Sequence, residues 1–289
     1  MAPLARSSGL GYRGQQLIRR IASYGVLVFF ALLFLLPMLW MLSTSLKPKS
    51  QWFAKDIVWI PETLTLQNYA TLLNNPTTPI LRWFFNSLAI GIIVTVLILI
   101  VDALAAYAYA RMQFRGRNTL FALLLATLFM PGIMFLVPNF LTINRLGLLN
   151  NYGGVIIPGL AGVFGVFFLR QFFESVPRDL EEAAAIDGAS QLQIFTQVAL
   201  PLARPALATL AIITFLGSWN DFLWPLLILK DRALQTLPPG LRTLQGAYTS
   251  EYGQMMAGAV IAAVPVLLLY LIMQRYIVQS VATSGLAGQ

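Results

Sequence analysis

The chain has 289 residues, 58% hydrophobic and only 10% charged, with a formal net charge of +8. Soluble domains average about 45–50% apolar and about 25% charged residues, so this composition belongs in a bilayer. The chain has no cysteine and no histidine, which excludes disulfides, thiolate and Ser-His-Asp chemistry, HExxH zinc sites and haem ligation by histidine.

Six apolar runs follow one another, each near the roughly 20 residues that a spanning helix needs. The first, about Ile21 to Leu46, comes after Arg13, Arg19 and Arg20. It is too long for a signal-peptide core and no A-x-A site follows, so it reads as an uncleaved span behind a tail of residues 1–20. The second runs from about Asn86 to Tyr109 and carries Asp102. A carboxylate at that depth is costly and faces a cavity or a partner. The third, about Thr119 to Ile143, contains Pro131 and Pro138; the fourth is about Gly153 to Phe173. The fifth, about Pro205 to Leu229, holds Trp219, Asn220, Asp221 and Trp224, and the sixth is about Met255 to Val278. Prolines recur inside the runs at Pro37, Pro158, Pro225 and Pro265, which helix bundles tolerate where neighbours satisfy the freed carbonyls. The expected architecture is all-α: a polytopic membrane helix bundle of six transmembrane helices over residues 21–285, with a short tail at 286–289.

Basic flanks set the orientation. Arg6, Arg13, Arg19 and Arg20 precede the first span, and Arg111, Arg115 and Arg117 fill the loop between the second and third. The positive-inside rule makes that side cytoplasmic. By parity, the connection between spans four and five is cytoplasmic too, as are both termini.

That connection, Ser175 to Pro201, is built as helix, turn, helix. Pro177 suits a first turn, and Asp179, Glu181 and Glu182 favour the positive end of the helix dipole. Ala183, Ala184 and Ala185 are strong helix formers. Gly188 suits a left-handed helix stop. Ser190 with Gln193 reads as a capping box, and Pro201 is expected to close the second helix. Leu180, Ala183, Ala184 and Asp187 share one face, where small side chains admit a second backbone. A surface-lying linker is disfavoured because anionic headgroups attract Lys and Arg. A DNA-binding helix-turn-helix is disfavoured because no Lys or Arg lies between Asp179 and Ala203 to meet phosphate. A docking element for a cytoplasmic partner remains.

The stretch E-A-A-x-x-x-G, nine residues, an aliphatic residue, one more, then L-P resembles the signature of ABC importer permeases. Glu182, Ala183, Ala184, Gly188, Val198, Leu200 and Pro201 carry it. N-S-L-A-I at Asn86, A-A-Y-A-Y-A-R from Ala105, G-S-W-N-D-F-L-W-P-L from Gly217 and M-A-G-A-V-I-A-A-V-P from Met256 are similar to the second permease of carbohydrate importers of the maltose-transporter type. The resemblance implies a permease subunit of an ATP-driven importer that moves a sugar or oligosaccharide across a prokaryotic inner membrane. It implies four kinds of partner: the bilayer, a second and different permease, a dimer of cytoplasmic ATPase subunits, and an extracytoplasmic sugar-binding protein. ATP and Mg²⁺ would sit in the ATPase; this chain, which has no G-x-x-x-x-G-K-[ST] phosphate loop, would hold no cofactor and be no enzyme. Glu182, Ala183, Ala184, Asp187 and Gly188 would dock the ATPase as the coupling helix. Trp219, Asn220, Asp221, Trp224 and Asp102 are the candidates for the substrate pathway. Two rival readings follow from the residues alone. One is an ion-coupled secondary transporter with Asp102 and Asp221 as proton sites, although no inverted repeat is visible. The other is a receptor or scaffold without transport.

Overall fold

A computed structural model of the protein describes residues 12–52, 58–160, 162–244 and 251–286. In order, the helices are α1 (Tyr12–Ser45), α2 (Gln67–Asn74), α3 (Ile80–Arg111), α4 (Arg117–Ala126), α5 (Leu136–Arg145), α6 (Tyr152–Ile156) and α7 (Val163–Ser175). They continue with α8 (Asp179–Ile186), α9 (Gln191–Gln193), a π turn (Ile194–Ala199), α10 (Leu200–Leu202), α11 (Arg204–Trp219), α12 (Leu223–Ile228), α13 (Leu237–Arg242) and α14 (Tyr252–Leu286). No strand occurs among the described residues. Three helices are long and apolar enough to cross a membrane, and the number reaches six if each bent helix pair is one span. The first eleven residues of the expected tail, and residues 287–289 of the other, lie outside the described residues; residues 12–20 already belong to α1.

The third, fourth and fifth runs are interrupted, the fourth by a 44° bend between Tyr152–Leu160 and Val163–Ser175. At the third, which carries Pro131 and Pro138, the segments Arg117–Phe129 and Gly132–Arg145 meet at 98°. Pro131 has no amide proton and forces Met130 into extended backbone (φ −86°, ψ 123°), which ends the helix there. In the fifth, α11 stops at Trp219 and α12 begins at Leu223. The Asp221 carboxylate accepts a hydrogen bond from the Trp224 amide at 3.3 Å and so starts the new helix as a cap. Pro201 does not close its helix either. The Leu200 amide bonds the Phe195 carbonyl, five residues back, in the π turn, and the chain bends by 76° only at Ala203, between Gln191–Leu202 and Arg204–Trp219. Pro201 has no amide with which to restore the ordinary spacing, so the wide turn ahead of it persists.

Helix α3 is the axis of the bundle, packed against α7 and α11, while α14 lies across α1, α2 and α11. Three apolar clusters lie along α3. Trp83 joins Leu72, Trp219, Leu237 and Ala257 near its Ile80 end. Ile90 and Val94 join Ile143, Val155 and Ile228 further along. Ala106, Tyr107 and Ala110 join Leu169, Phe173, Phe195 and Ala203 toward its Arg111 end. The α3–α7 crossing is close because residue 165 is glycine: a Cβ there would collide with the Asp102 carboxylate. Past the end of α1, Lys47 is fully buried. Its ammonium donates to the Val58 carbonyl and stands 4.0 Å over the Trp40 ring, while Trp52 and Asn68 donate to the Lys47 carbonyl.

Candidate functional site: an exposed helix-turn-helix and an internal pocket

The segment between α7 and α11 adopts the predicted turn chemistry. Asp179, Glu181 and Glu182 stand in the first turn of α8, the Arg178 carbonyl accepting from the Glu181 and Glu182 amides. The helix ends in a Schellman arrangement: the Gly188 amide bonds the Ala185 carbonyl and the Ala189 amide bonds the Ala184 carbonyl. Gly188 has φ +86°, a conformation open to glycine at little cost. Ser190 and Gln193 form the capping box in both directions. The bonds of the turn thus all close within a few residues.

Its outer surface is bare. Glu182, Ala183, Asp187 and Gly188 are exposed and Ala184 is half-buried. Ile186 is 86% and Leu192 66% exposed, a large apolar area for a helix this polar. Among the described residues, Glu182 and Asp187 have no ion-pair partner. Glu181, one position earlier, turns inward. Its carboxylate accepts from Arg111 Nε at 2.8 Å and from the Tyr107 hydroxyl at 3.3 Å, and an Arg111 terminal nitrogen donates to the Val176 carbonyl at 2.6 Å. Sequence reading missed this trio. The only signal was the basic end of A-A-Y-A-Y-A-R, which served there to set orientation.

The pathway candidates separate. Asp221 and Trp224 line a pocket of about 460 Å³ together with Ile90, Val94, Asn139 and Ser218. The Trp224 indole donates to the Gly154 carbonyl at 3.1 Å, which fixes the ring at the pocket wall. Trp219 is buried beside Phe84 and Phe215 with its indole on the Ala262 carbonyl. Trp219 and Asn220 border a different hollow, against Pro238 and Ala259. Asp102 is 1% exposed, faces Gly165 of α7, and neither of its oxygens has a hydrogen-bond partner among the described residues. Among the described residues no cluster of three His, Cys, Asp or Glu forms that could hold a metal.

The family model described as binding-protein-dependent transport system inner membrane component matches residues 103–283. The chain belongs to this family. Relatives match along nearly their full length. The arabinooligosaccharides transport system permease AraQ of Bacillus subtilis is 35% identical over 273 residues, 94% of this chain and 97% of the relative. The trehalose transport system permease SugB of Mycobacterium tuberculosis is 37% identical over 259 residues, 88% of this chain and 93% of the relative. Among solved structures, a bacterial ABC transporter that imports the acidic polysaccharide alginate superposes with TM-score 0.81 at 27% identity, over 93% of this chain and 99% of that one. The permease is thus a multi-pass inner-membrane subunit of an ABC importer, not an enzyme. The comparisons give the ion-coupled reading no support.

Proposed function

We propose that this permease carries a sugar or oligosaccharide into the cell, coupled to ATP hydrolysis by a separate ATPase dimer that binds the ATP and Mg²⁺. A second, unlike permease completes the channel and an extracytoplasmic binding protein delivers the sugar. Both termini and α8 face the cytoplasm. The observation that carries this reading is the uncovered α8 unit: Glu182 and Asp187 have no ion-pair partner among the described residues, and Ile186 stands in the open. A knob with an apolar tip and acidic flanks suits a groove with basic residues at its rim. Closure of the ATPase dimer on ATP draws two such knobs together and biases the channel from inward to outward opening. Transport of arabino-oligosaccharides and trehalose by the relatives supports a sugar as cargo. So does the pocket, where Asn139, Ser218 and Asp221 offer hydroxyl partners beside the Trp224 ring.

The test is coexpression of the chain with its genomic neighbours, extraction in mild detergent and a search for bound ATPase. ATPase copurifies with the wild type and is lost from Glu182→Lys, which reverses a contact charge, and from Gly188→Val, whose β-branched side chain does not suit a left-handed backbone. Binding at wild-type level in both variants refutes the docking role.

A further inference from the structure

We infer that Arg111 and Glu181, seated by Tyr107, form the rigid link that carries movement of α8 into the pocket. The inference rests on the docking role proposed for α8. It begins from an asymmetry between neighbouring acids. Glu182 points outward with no ion-pair partner among the described residues, whereas Glu181 is held on the inner side of the same helix turn by Arg111 Nε at 2.8 Å. The side chains of the pair are 6% and 13% exposed. A charge pair this enclosed breaks with difficulty and leaves an unpaired buried charge when it does.

The guanidinium holds two elements at once: Glu181 of α8, and the Val176 carbonyl at the end of α7. Tyr107, one turn back on α3, donates to the second Glu181 oxygen, and its ring packs on Phe173 of α7 and Phe195 of the π turn. The end of α7, the first turn of α8 and the π turn are therefore each tied to the last two turns of α3.

What distinguishes α3 is continuity without a proline, since the other two long helices, α1 and α14, each carry one. The α4–α5 segment is bent by 98°, α10 and α11 meet at 76°, and α11 and α12 are separated at Asn220. Such breaks absorb displacement as local changes in backbone angle. Helix α3 has no proline and no break from Ile80 to Arg111. Ile90, Val94 and Ile98 on the same helix line the pocket. From Ile98 to Arg111 the rise is about 20 Å at 1.5 Å per residue. A displacement of α8 transmitted to Arg111 thus reaches the pocket wall along one unbroken rod, giving the two sites a shared element.

The experiment uses the whole importer, with partner permease, ATPase and binding protein, in liposomes. Glu181→Gln keeps the shape and removes the charge. Arg111→Lys keeps the charge but lacks the fork that holds Glu181 and Val176 together. Both variants are expected to retain bound ATPase while sugar moved per ATP hydrolysed falls at least about fivefold, the low end of ordinary intersite coupling. Glu174→Gln, which removes the more exposed Arg170 pair on α7, is expected to match the wild type. Wild-type sugar per ATP in an assembled Glu181→Gln importer overturns the link. So does loss of the ATPase from both link variants, since the pair then merely holds α8 in shape. Gly188→Val run in parallel separates the two readings. If it loses the ATPase while Glu181→Gln stays coupled, the link fails alone. If it and Glu182→Lys keep the ATPase, docking fails and takes the link with it.

Discussion

Gly165 and Asp102 face each other across the α3–α7 crossing, and the carboxylate leaves no room for a larger residue at 165. A Cβ at residue 165 would meet the Asp102 carboxylate and approach Leu210 at 3.0 Å. The crossing is close for the reason small residues are favoured wherever membrane helices touch: packing has to supply what the hydrophobic effect does not. Gly165→Ala is therefore expected to lower the unfolding temperature in detergent, and Asp102→Ala to relieve most of that loss because it removes the oxygen and carbon in the way. The measurable quantity is the coupling in a double-mutant cycle, on the order of 0.5–3 kcal/mol for residues in contact. Additive effects would show that the clash is met by movement elsewhere. From the sequence alone Asp102 was legible as an anomaly, a carboxylate within an apolar run. Its neighbour was not, because nothing along the chain ties residue 102 to residue 165. The same holds for Arg111 and Glu181: each was visible, one as a topological charge and one as a first-turn acid, but their pairing depends on how α3 and α7 cross.

At the scale of elements, local chemistry was readable and long-range geometry was not. The glycine stop at 188 and the Ser190–Gln193 capping box could be read in advance because all their bonds close within a few residues. The breaks could not. Pro37 and Pro265 lie inside continuous helices, whereas Pro131 marks a right-angle bend. Proline removes a donor in each case; whether the helix survives depends on what surrounds the freed carbonyl. Likewise, the hydrophobic run through Pro205–Leu229 hid the gap at Asn220, since both helices flanking it are apolar. The capping box makes its own prediction. Ser190→Ala removes the acceptor for the Gln193 amide, a loss of about 1 kcal/mol for an N-cap. Hydrogen exchange at the Gln193 amide should then quicken about fivefold by the usual conversion, with exchange in α3 unchanged. An equal acceleration in both would mean that the cap stabilises the whole bundle instead of its own turn.

For the whole molecule, the decisive contrast is between a chain driven from outside and one that carries its own ions. The chain leaves much of its apolar surface uncovered. None of the most apolar stretch of α1 is buried, and only a third of that of α3, the best-covered of the three long helices. Such surface suits lipid and a second permease. Asp221 is where the two mechanisms predict opposite results. It lines the pocket, which a proton site would require, and it also caps α12 through the Trp224 amide. Asparagine is as good a helix cap as aspartate and still offers a sugar both a donor and an acceptor, yet it does not titrate. In an ATP-driven importer Asp221→Asn should keep at least roughly half of wild-type uptake, the cap being preserved, and uptake in vesicles should follow internal ATP and persist with a protonophore. Asp221→Leu, which loses cap and hydroxyl partner together, should abolish most uptake. If Asp221→Asn were as inactive as Asp221→Leu and the protonophore stopped the wild type, the carboxylate would be a proton carrier, and the arrangement of α8, Arg111 and α3 would need another purpose.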